Sequence, residues 1–239
     1  MNILEKITLK LSIEKRFFLE QRMGWKTPAD QYNIPKFLLR KFLPADPVII
    51  DCGACDGTDS IELARIFPHA SIHSFEPVPQ VFNALTRNTR KYRNVHCYQM
   101  ALSNATGKAN MHISSGASYG SSSLLAPKTH LNDHPTVFFE NTIEVNTITL
   151  DDWADSQHLS RVDFLWLDMQ GFEYEMLRAS NRIIDTIKAI HTEVSVKETY
   201  EQVKLYPAFR QWAEEKGFRV FREAVPDGTD MGNVLFVRG

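Results

Sequence analysis

The stretch VIIDCGACDGTDS, residues 48–60, holds two candidate chemistries at once. Cys52 and Cys55 form a C-x-x-C pair, the spacing that serves thiol redox chemistry or holds zinc. Asp51, Gly53 and Gly57 form D-x-G-x-x-x-G directly after an apolar run, and such glycines let the backbone turn sharply and approach a ligand at the carboxyl end of a strand. A four-ligand zinc site needs a second Cys or His pair, yet the third cysteine, Cys97, stands alone and the histidines are scattered. A redox pair stays open, because Cys55 comes near an expected helix N-terminus, where the dipole lowers a thiol pKa. The cofactor reading uses more of the stretch, with Cys52 and Cys55 then simply small residues of a strand end and a turn.

The sign of the first residue narrows the cofactor. In the dinucleotide fingerprint G-x-G-x-x-G a glycine stands where this chain has Asp51. A carboxylate there opposes a diphosphate: two unit charges about 4 Å apart interact by roughly 1 kcal/mol in water and roughly 4 kcal/mol at an effective dielectric of about 20. A cationic, phosphate-free ligand is favoured, and S-adenosyl-L-methionine, with its ammonium and sulfonium groups, has that chemistry. Glu76 closes a second apolar run and offers a carboxylate to two ribose hydroxyls, the part an acidic residue plays at that strand end for NAD. Pro77 stiffens the exit.

These residues need elements to hold them. A short helix is expected over Pro35–Leu43, broken by Pro44 and Pro47. Val48–Asp51 then reads as a strand. Asp59 with Glu62 resembles a capping box opening a helix whose Ile61, Ala64 and Phe67 share a face. Ser71–Phe75 is a second strand, Val78, Phe82, Leu85, Thr89 and Tyr92 recur at helical spacing, and Val95–Leu102 is a third strand. Later, Val162–Leu167 reads as a strand, Tyr174–Ile184 as a helix and Ala189–Val194 as a strand. A helix carrying Leu205, Phe209, Trp212 and Ala213 stops at Gly217. Phe218–Arg222 and Val234–Val237 follow as strands that can pair antiparallel at the sheet edge. Repeated β-α-β order predicts an α/β doubly wound sheet with helices on both faces, because parallel strands need crossovers and these are right-handed.

The middle breaks the alternation. Ala109–Ile113 and Ile143–Leu150 look like strands, and SSGASYGSSSLLAPKTHLNDHP between them is rich in Ser, Gly, Pro and Asn. Loops this long are functional or mobile, so residues 114–142 read either as a substrate or lid loop or as a surface insertion.

Composition sets the outer bounds. The 239 residues, 43% hydrophobic and 23% charged, suffice for one globular domain, expected over 47–239 with a helical extension over 1–46. A formal net charge of -2 with no lysine or arginine block points away from nucleic acid. Three cysteines, an odd count, fit a reducing compartment, and the cytoplasm is the expected location. No stretch is apolar enough for a transmembrane segment. Ile3, Ile7, Lys10, Leu11 and Glu14 fall on one helix face, expected to dock on its own domain or on a second copy in a homodimer ahead of resting on a membrane surface.

With these motifs in order, the chain resembles the FkbM family of S-adenosylmethionine-dependent methyltransferases. The likeness runs from Val48 to Phe221 in the blocks IIDCGACDGTDS, SFEPVP, NVHCYQMALSNATGKA, VNTITLDDW and VDFLWLDMQGFEYEMLRAS followed by IHTEVS. It implies a Rossmann-like class I methyltransferase fold, a mostly parallel seven-stranded sheet with the last strand antiparallel, and methyl transfer to a hydroxyl. The resemblance further implies that Asp51, Gly53, Ala54, Gly57 and Thr58 line the methionyl part of the cofactor. Glu76 and Pro77 would hold the ribose, Met100, Ala101 and Leu102 would flank the adenine, and Asp168 would stand beside the sulfonium. Two positions depart from the block K-x-D-x-E-G: Trp166 stands for the lysine and Gln170 for the glutamate.

An alcohol must lose a proton on methylation. Asp168 is the leading candidate base, with Glu193 and then His191 on the next strand behind it; each also has a purely structural reading. Asp168 and Glu193 together could ligate Mg2+, although no metal is expected. The expected acceptor is a glycan or another small hydroxylated molecule. Two other classes remain, an NAD-dependent oxidoreductase on the same fold and a non-catalytic binding module.

Overall fold

The computed structural model describes residues 34–239, so the amphipathic segment at Ile3–Glu14 lies outside the described residues. Among the described residues there are ten strands, and seven of them, built largely on β-branched and aromatic residues, make the central sheet. These seven are β1 (Val48–Cys52), β2 (Ser71–Phe75), β3 (Val95–Tyr98), β7 (Phe164–Leu167), β8 (Ala189–Ser195), β9 (Phe218–Ala224) and β10 (Met231–Arg238). Their order is β3-β2-β1-β7-β8-β10-β9. All neighbours are parallel except β10, the last strand of the chain, which is antiparallel to both β8 and β9. This is the expected sheet.

Because side chains alternate across a strand, the sheet buries both faces. Ile50, Leu165, Leu167 and Ile190 pack on one face beneath helices α4 (Leu150–Ser156), α5 (Glu173–Arg178) and α6 (Tyr206–Glu215), with Trp153, Leu177 and Phe209 as their buried residues. Ile49, Phe164, Leu235 and Val237 pack on the other beneath α1 (Thr58–Ile66) and a 3-10 turn at Lys36–Lys41, through Leu63, Leu38 and Leu39. Helix α2 (Pro79–Thr89) opens with Pro79 in its first turn, where the missing N–H costs nothing.

Four details differ from the sequence reading. The third strand is divided: Val95–Tyr98 stays in the main sheet, while Ala101–Leu102 (β4) leaves it to pair with Thr147 and Ile148. The capping box does not form. Gly57 caps α1 in the left-handed region, and Asp59 and Glu62 both hold Lys36, at 2.5 and 2.6 Å. The expected helix over Tyr174–Ile184 ends at Arg178 and resumes as a 3-10 turn at Ile183–Thr186, since Asp151 draws the N–H groups of Asn181, Arg182 and Ile183 onto its carboxylate. The Pro35–Leu43 helix is 3-10.

The middle of the chain builds a second sheet of order β4-β6-β5. Strands β5 (Gly107–Gly116) and β6 (Val137–Ile148) are a long antiparallel pair that takes up both ends of the expected loop. What is left, residues 117–136, carries a short helix α3 (His130–Asp133) and bridges back to the body at His112–Ser123 and Pro127–Tyr200.

Candidate active site

Strand β1 pairs with β2 on one side and with β7 on the other, so the sheet order reverses there and a crevice opens beyond the strand ends. The turn after β1 is fixed by main-chain bonds. The N–H groups of Gly53 and Ala54 both donate to the Phe75 carbonyl, at 3.1 and 3.0 Å, and Gly57 N–H donates to Ala54 at 2.8 Å. Gly53 sits at φ +80, and a Cβ on it would lie 1.8 Å from the carbonyl oxygen of Asp168. The β1 turn thus lies flat against the end of β7, which only glycine permits.

A cleft opens at this edge. Its walls are Cys52, Gly53 and Cys55 from the β1 turn, Phe75, Glu76 and Pro77 from the end of β2, and Asp168, Met169 and Phe172 after β7. The second sheet adds Ala101, Leu102 and Met111, and the serine-rich segment adds Tyr119, Gly120, Ser122 and Leu124. No arginine or lysine is among these residues.

Of the residues expected from sequence, Gly53, Glu76, Pro77, Ala101, Leu102 and Asp168 line this cleft. Ala54, Gly57, Thr58 and Met100 are not among its lining residues. Asp51 is buried and turned toward α1: its Oδ2 accepts from Ser60, while Oδ1 has no partner. Burial pushes its pKa up to about 7 against the Ser60 bond. His191 is not at the mouth. It is buried face to face with Trp166, ring centroids 3.6 Å apart, and Lys36 Nζ lies 4.3 Å from the Trp166 ring on α1's side of the sheet. Burial, aided by Lys36, lowers its pKa to about 3, so it stays neutral. The aromatic stack explains Trp166 as packing.

Glu76 is buried, with Oε2 accepting from Cys55 N–H at 3.1 Å and Oε1 from Val78 N–H at 2.9 Å. Burial nevertheless raises its pKa to about 7. Burial also raises the pKa of both cysteines, Cys52 strongly, with neighbouring carboxylates acting the same way. That is the wrong direction for a thiolate pair, and both thiols are free. Among the described residues no group of three or more His, Cys, Asp or Glu is placed to hold a metal.

Asp168 is open to solvent on its cleft side and enclosed by protein elsewhere. That enclosure raises its pKa, the Gln170 bond lowers it, and the Asp59 charge raises it again. Gln170 Nε2 donates both to Asp168 Oδ1, at 2.7 Å, and to Glu193 Oε2, at 3.2 Å. Asp168 and Glu193, on neighbouring strands, are therefore brought together, and His191 is not.

The residues present suit a cation without phosphate. The charged groups of the cleft wall are two carboxylates, Glu76 and Asp168, no basic side chain there could meet a diphosphate, and a buried carboxylate oxygen of Asp51 lacks a partner behind the turn. Fold and site together define a Rossmann-like, S-adenosylmethionine-dependent methyltransferase. A family profile described as the methyltransferase FkbM domain matches residues 51–220, and the chain belongs to that family. It is 29% identical over 202 residues to the 2-O-methyltransferase NoeI of Sinorhizobium fredii, covering 82% of each chain. It is 25% identical over 158 residues to the hexuronic acid methyltransferase AglP of Haloferax volcanii, covering 66% of this chain and 59% of that one. The pre-rRNA processing protein fibrillarin of Methanococcus jannaschii shares the fold at 13% identity, with a TM-score of 0.50 over 87% of this chain and 70% of that one. Among the described residues no helix is long and apolar enough to cross a membrane.

Sequence reasoning missed Met111, Tyr119, Gly120, Ser122, Leu124, Met169 and Phe172 in the wall. The serine-rich composition of the central segment was the available signal for four of them, Tyr119, Gly120, Ser122 and Leu124.

Proposed function

We propose that the protein transfers a methyl group from S-adenosylmethionine to a hydroxyl of an uncharged sugar or glycan. The observation that carries this reading is a cleft at the sheet's reversal point whose charged lining is two carboxylates, Glu76 and Asp168, with no basic residue. S-Adenosylmethionine supplies an electrophilic methyl group on a positively charged sulfur. Glu76 would take the ribose hydroxyls, Ala101 and Leu102 would flank the adenine, and Asp51 and the Gly53 turn would stand at the methionyl end. Asp168 would accept the proton of the acceptor hydroxyl. Its Oδ1 is held by Gln170, leaving its other oxygen for that hydroxyl, and a raised pKa brings a carboxylate closer to working pH, as a base requires. Glu193 is the second candidate. The segment around Tyr119–Leu124 would shield the site from water and contact the acceptor.

The relatives named for 2-O- and hexuronic acid methylation support a sugar hydroxyl as target. The local charge separates them. A uronate carboxylate brought within about 4 Å of Asp168 meets a repulsion of roughly 4 kcal/mol at an effective dielectric of about 20, with no basic residue in the cleft wall to offset it. Radiolabelled methyl transfer to paired hexosides and hexuronides should favour the neutral sugar by at least about tenfold in kcat/KM. Equal or reversed preference removes the uncharged acceptor, and no transfer to any hydroxyl removes the O-methylation.

Protons should accompany cofactor binding. Without ligand, Glu76 titrates at about 7, so a fraction of the protein near neutrality carries it protonated. A cation, and ribose hydroxyls seeking acceptors, favour the ionised form. Affinity should therefore rise by up to about tenfold per pH unit as pH climbs toward 7, then level off, with proton release visible by calorimetry in buffers of different ionisation enthalpy. The ligand-free fold responds oppositely. A carboxyl whose folded pKa exceeds its unfolded value of about 4 stabilises the folded state least at high pH. The contribution of Asp51, Glu76 and Glu173, each at about 7, is lost progressively as pH rises from about 4 through 7. Affinity that is flat with pH would contradict the assignment of Glu76.

A further inference from the structure

Gln170 is nearly buried and holds a left-handed backbone, φ +54, that a residue with a long side chain rarely adopts. Such strain persists only when the surroundings over-determine it. Every polar atom of this side chain is engaged. An amide nitrogen has two protons, and here one reaches Asp168 Oδ1 and the other Glu193 Oε2, at 2.7 and 3.2 Å. The amide oxygen accepts from the Tyr200 hydroxyl at 3.0 Å, and the main-chain carbonyl accepts from Ser123 Oγ at 2.8 Å.

Tyr200 is fully buried and its hydroxyl has a second acceptor, the carbonyl of Ser121 at 2.8 Å. A phenol carries one proton and can give it to only one of the two. Ser121 and Ser123 belong to the segment that forms the cleft wall through Tyr119, Gly120, Ser122 and Leu124. One amide therefore touches both candidate bases, and one phenol proton is divided between that amide and the segment.

The field around the pair is otherwise acidic. Asp59 faces Asp168 from α1, Glu173 faces Glu193 from α5, and Asp168 in turn acts on Glu76 at the end of β2. Tyr200 feels Glu193, Glu173 and Asp168, and burial with these charges raises its pKa, keeping it a donor. Lys36 acts on Asp51 and His191, on α1's side of the sheet. Among the described residues, Gln170 is the side chain that donates to both Asp168 and Glu193.

We propose that Gln170 is a positioning residue that holds Asp168 and Glu193 as a hydrogen-bonded pair and, through the single proton of Tyr200, couples that pair to closure of the serine-rich segment. The coupling rests on the methyl-transfer reading; the pairing does not. With the segment closed, the Tyr200 proton can turn to Ser121; with it withdrawn, Gln170 Oε1 is the acceptor that remains and the amide is fixed. A neutral amide at this position also avoids adding a further carboxylate to an already acidic site.

Gln170→Met removes both donors and the acceptor at similar volume. The carboxyl NMR titration of the ligand-free protein should then show Asp168 or Glu193 shifted upward by about one pH unit or more. S-Adenosylhomocysteine affinity should stay within about threefold, while kcat falls by about tenfold or more and its acidic limb moves up with the carboxyl. Tyr200→Phe should leave the carboxyl midpoints in place, raise the acceptor KM about tenfold with a smaller change in kcat, and speed amide exchange across residues 117–125. Unchanged midpoints and pH profile in Gln170→Met overturn the pairing. Unchanged exchange and KM in Tyr200→Phe overturn the coupling, and this variant decides alone should Gln170→Met fail to fold. A wild type that binds no S-adenosylhomocysteine removes the methyl-transfer reading while leaving the titration as a test of the pair.

Discussion

Asp168→Asn is expected to lower turnover by about 10²- to 10⁴-fold, the range a positioned general base contributes. The asparagine keeps the shape of the side chain and can still accept from Gln170 Nε2, so the neighbourhood of the β7 end should hold. The main-chain carbonyl of residue 168, which packs against Gly53, is untouched by the change. S-Adenosylhomocysteine should therefore bind to the variant nearly as it binds to the parent, and the loss should fall on kcat. The parent's kcat should rise with pH through the raised pKa of Asp168, and that limb should vanish in the variant. Single-turnover methyl transfer across pH, beside calorimetric binding, separates the two effects. Full activity in Asp168→Asn would pass the proton to Glu193, the other carboxylate on the Gln170 amide.

The second large effect is expected at Gly53. Two costs combine there: a left-handed φ of +80, and a Cβ placed 1.8 Å from the Asp168 carbonyl oxygen and 2.8 Å from its carbon. The obstacle is backbone, so no rotamer change relieves it. The turn would have to lift away from β7, against the Asp168 N–H to Cys52 carbonyl bond of 3.0 Å and the Cys52–Leu167 pairing. Gly53→Ala should cost about 3 kcal/mol or more, seen as a melting temperature lower by about 10 °C, together with loss of cofactor binding. Gly228 provides the control. It also has a left-handed φ, +81, but no atom lies within 4 Å of its missing Cβ. Gly228→Ala should cost only about 1 kcal/mol. Equal losses at both positions would mean that conformation alone, and not the close approach of two strand ends, fixes the turn.

Much of this frame is legible in the residues because its signals are local. β1, α1, β2 and α2 follow from apolar runs, a change of period and punctuation by Gly57, Pro68 and Pro79. Glu76 and Asp168 could be placed on one sheet edge because each ends an apolar strand. The divided third strand could not be read: Gln99 and Met100 carry no turn signal, and Ala101–Leu102 leave the sheet only because Thr147 and Ile148 offer a partner some forty-five residues later. The same distance hid Tyr119, Ser122 and Leu124, whose segment has no period of its own. His191 shares its strand face with Glu193, so sequence spacing sent both to the mouth. The flat stack on Trp166 and the height of each residue along β8 separate them, and these are properties of the assembled sheet. Gln170 stood out only as a departure from the family block; its contacts could not be read, since glutamine is not a residue expected at positive φ.

The β5–β6 ladder carries one more consequence. Its pairing runs out to Gly116 opposite Val137, so the two ends of the intervening segment are held together by a structure that owes nothing to the segment's own sequence. Doubling the length of a loop closed in this way costs only about 0.6 kcal/mol. Insertions between these anchor points that spare the contacts of Ser121 and Ser123 with Tyr200 and Gln170 would leave the central sheet standing. Changes to residues 117–136 would thus rework the cleft wall at Tyr119, Gly120, Ser122 and Leu124 while the seven strands beneath kept their register.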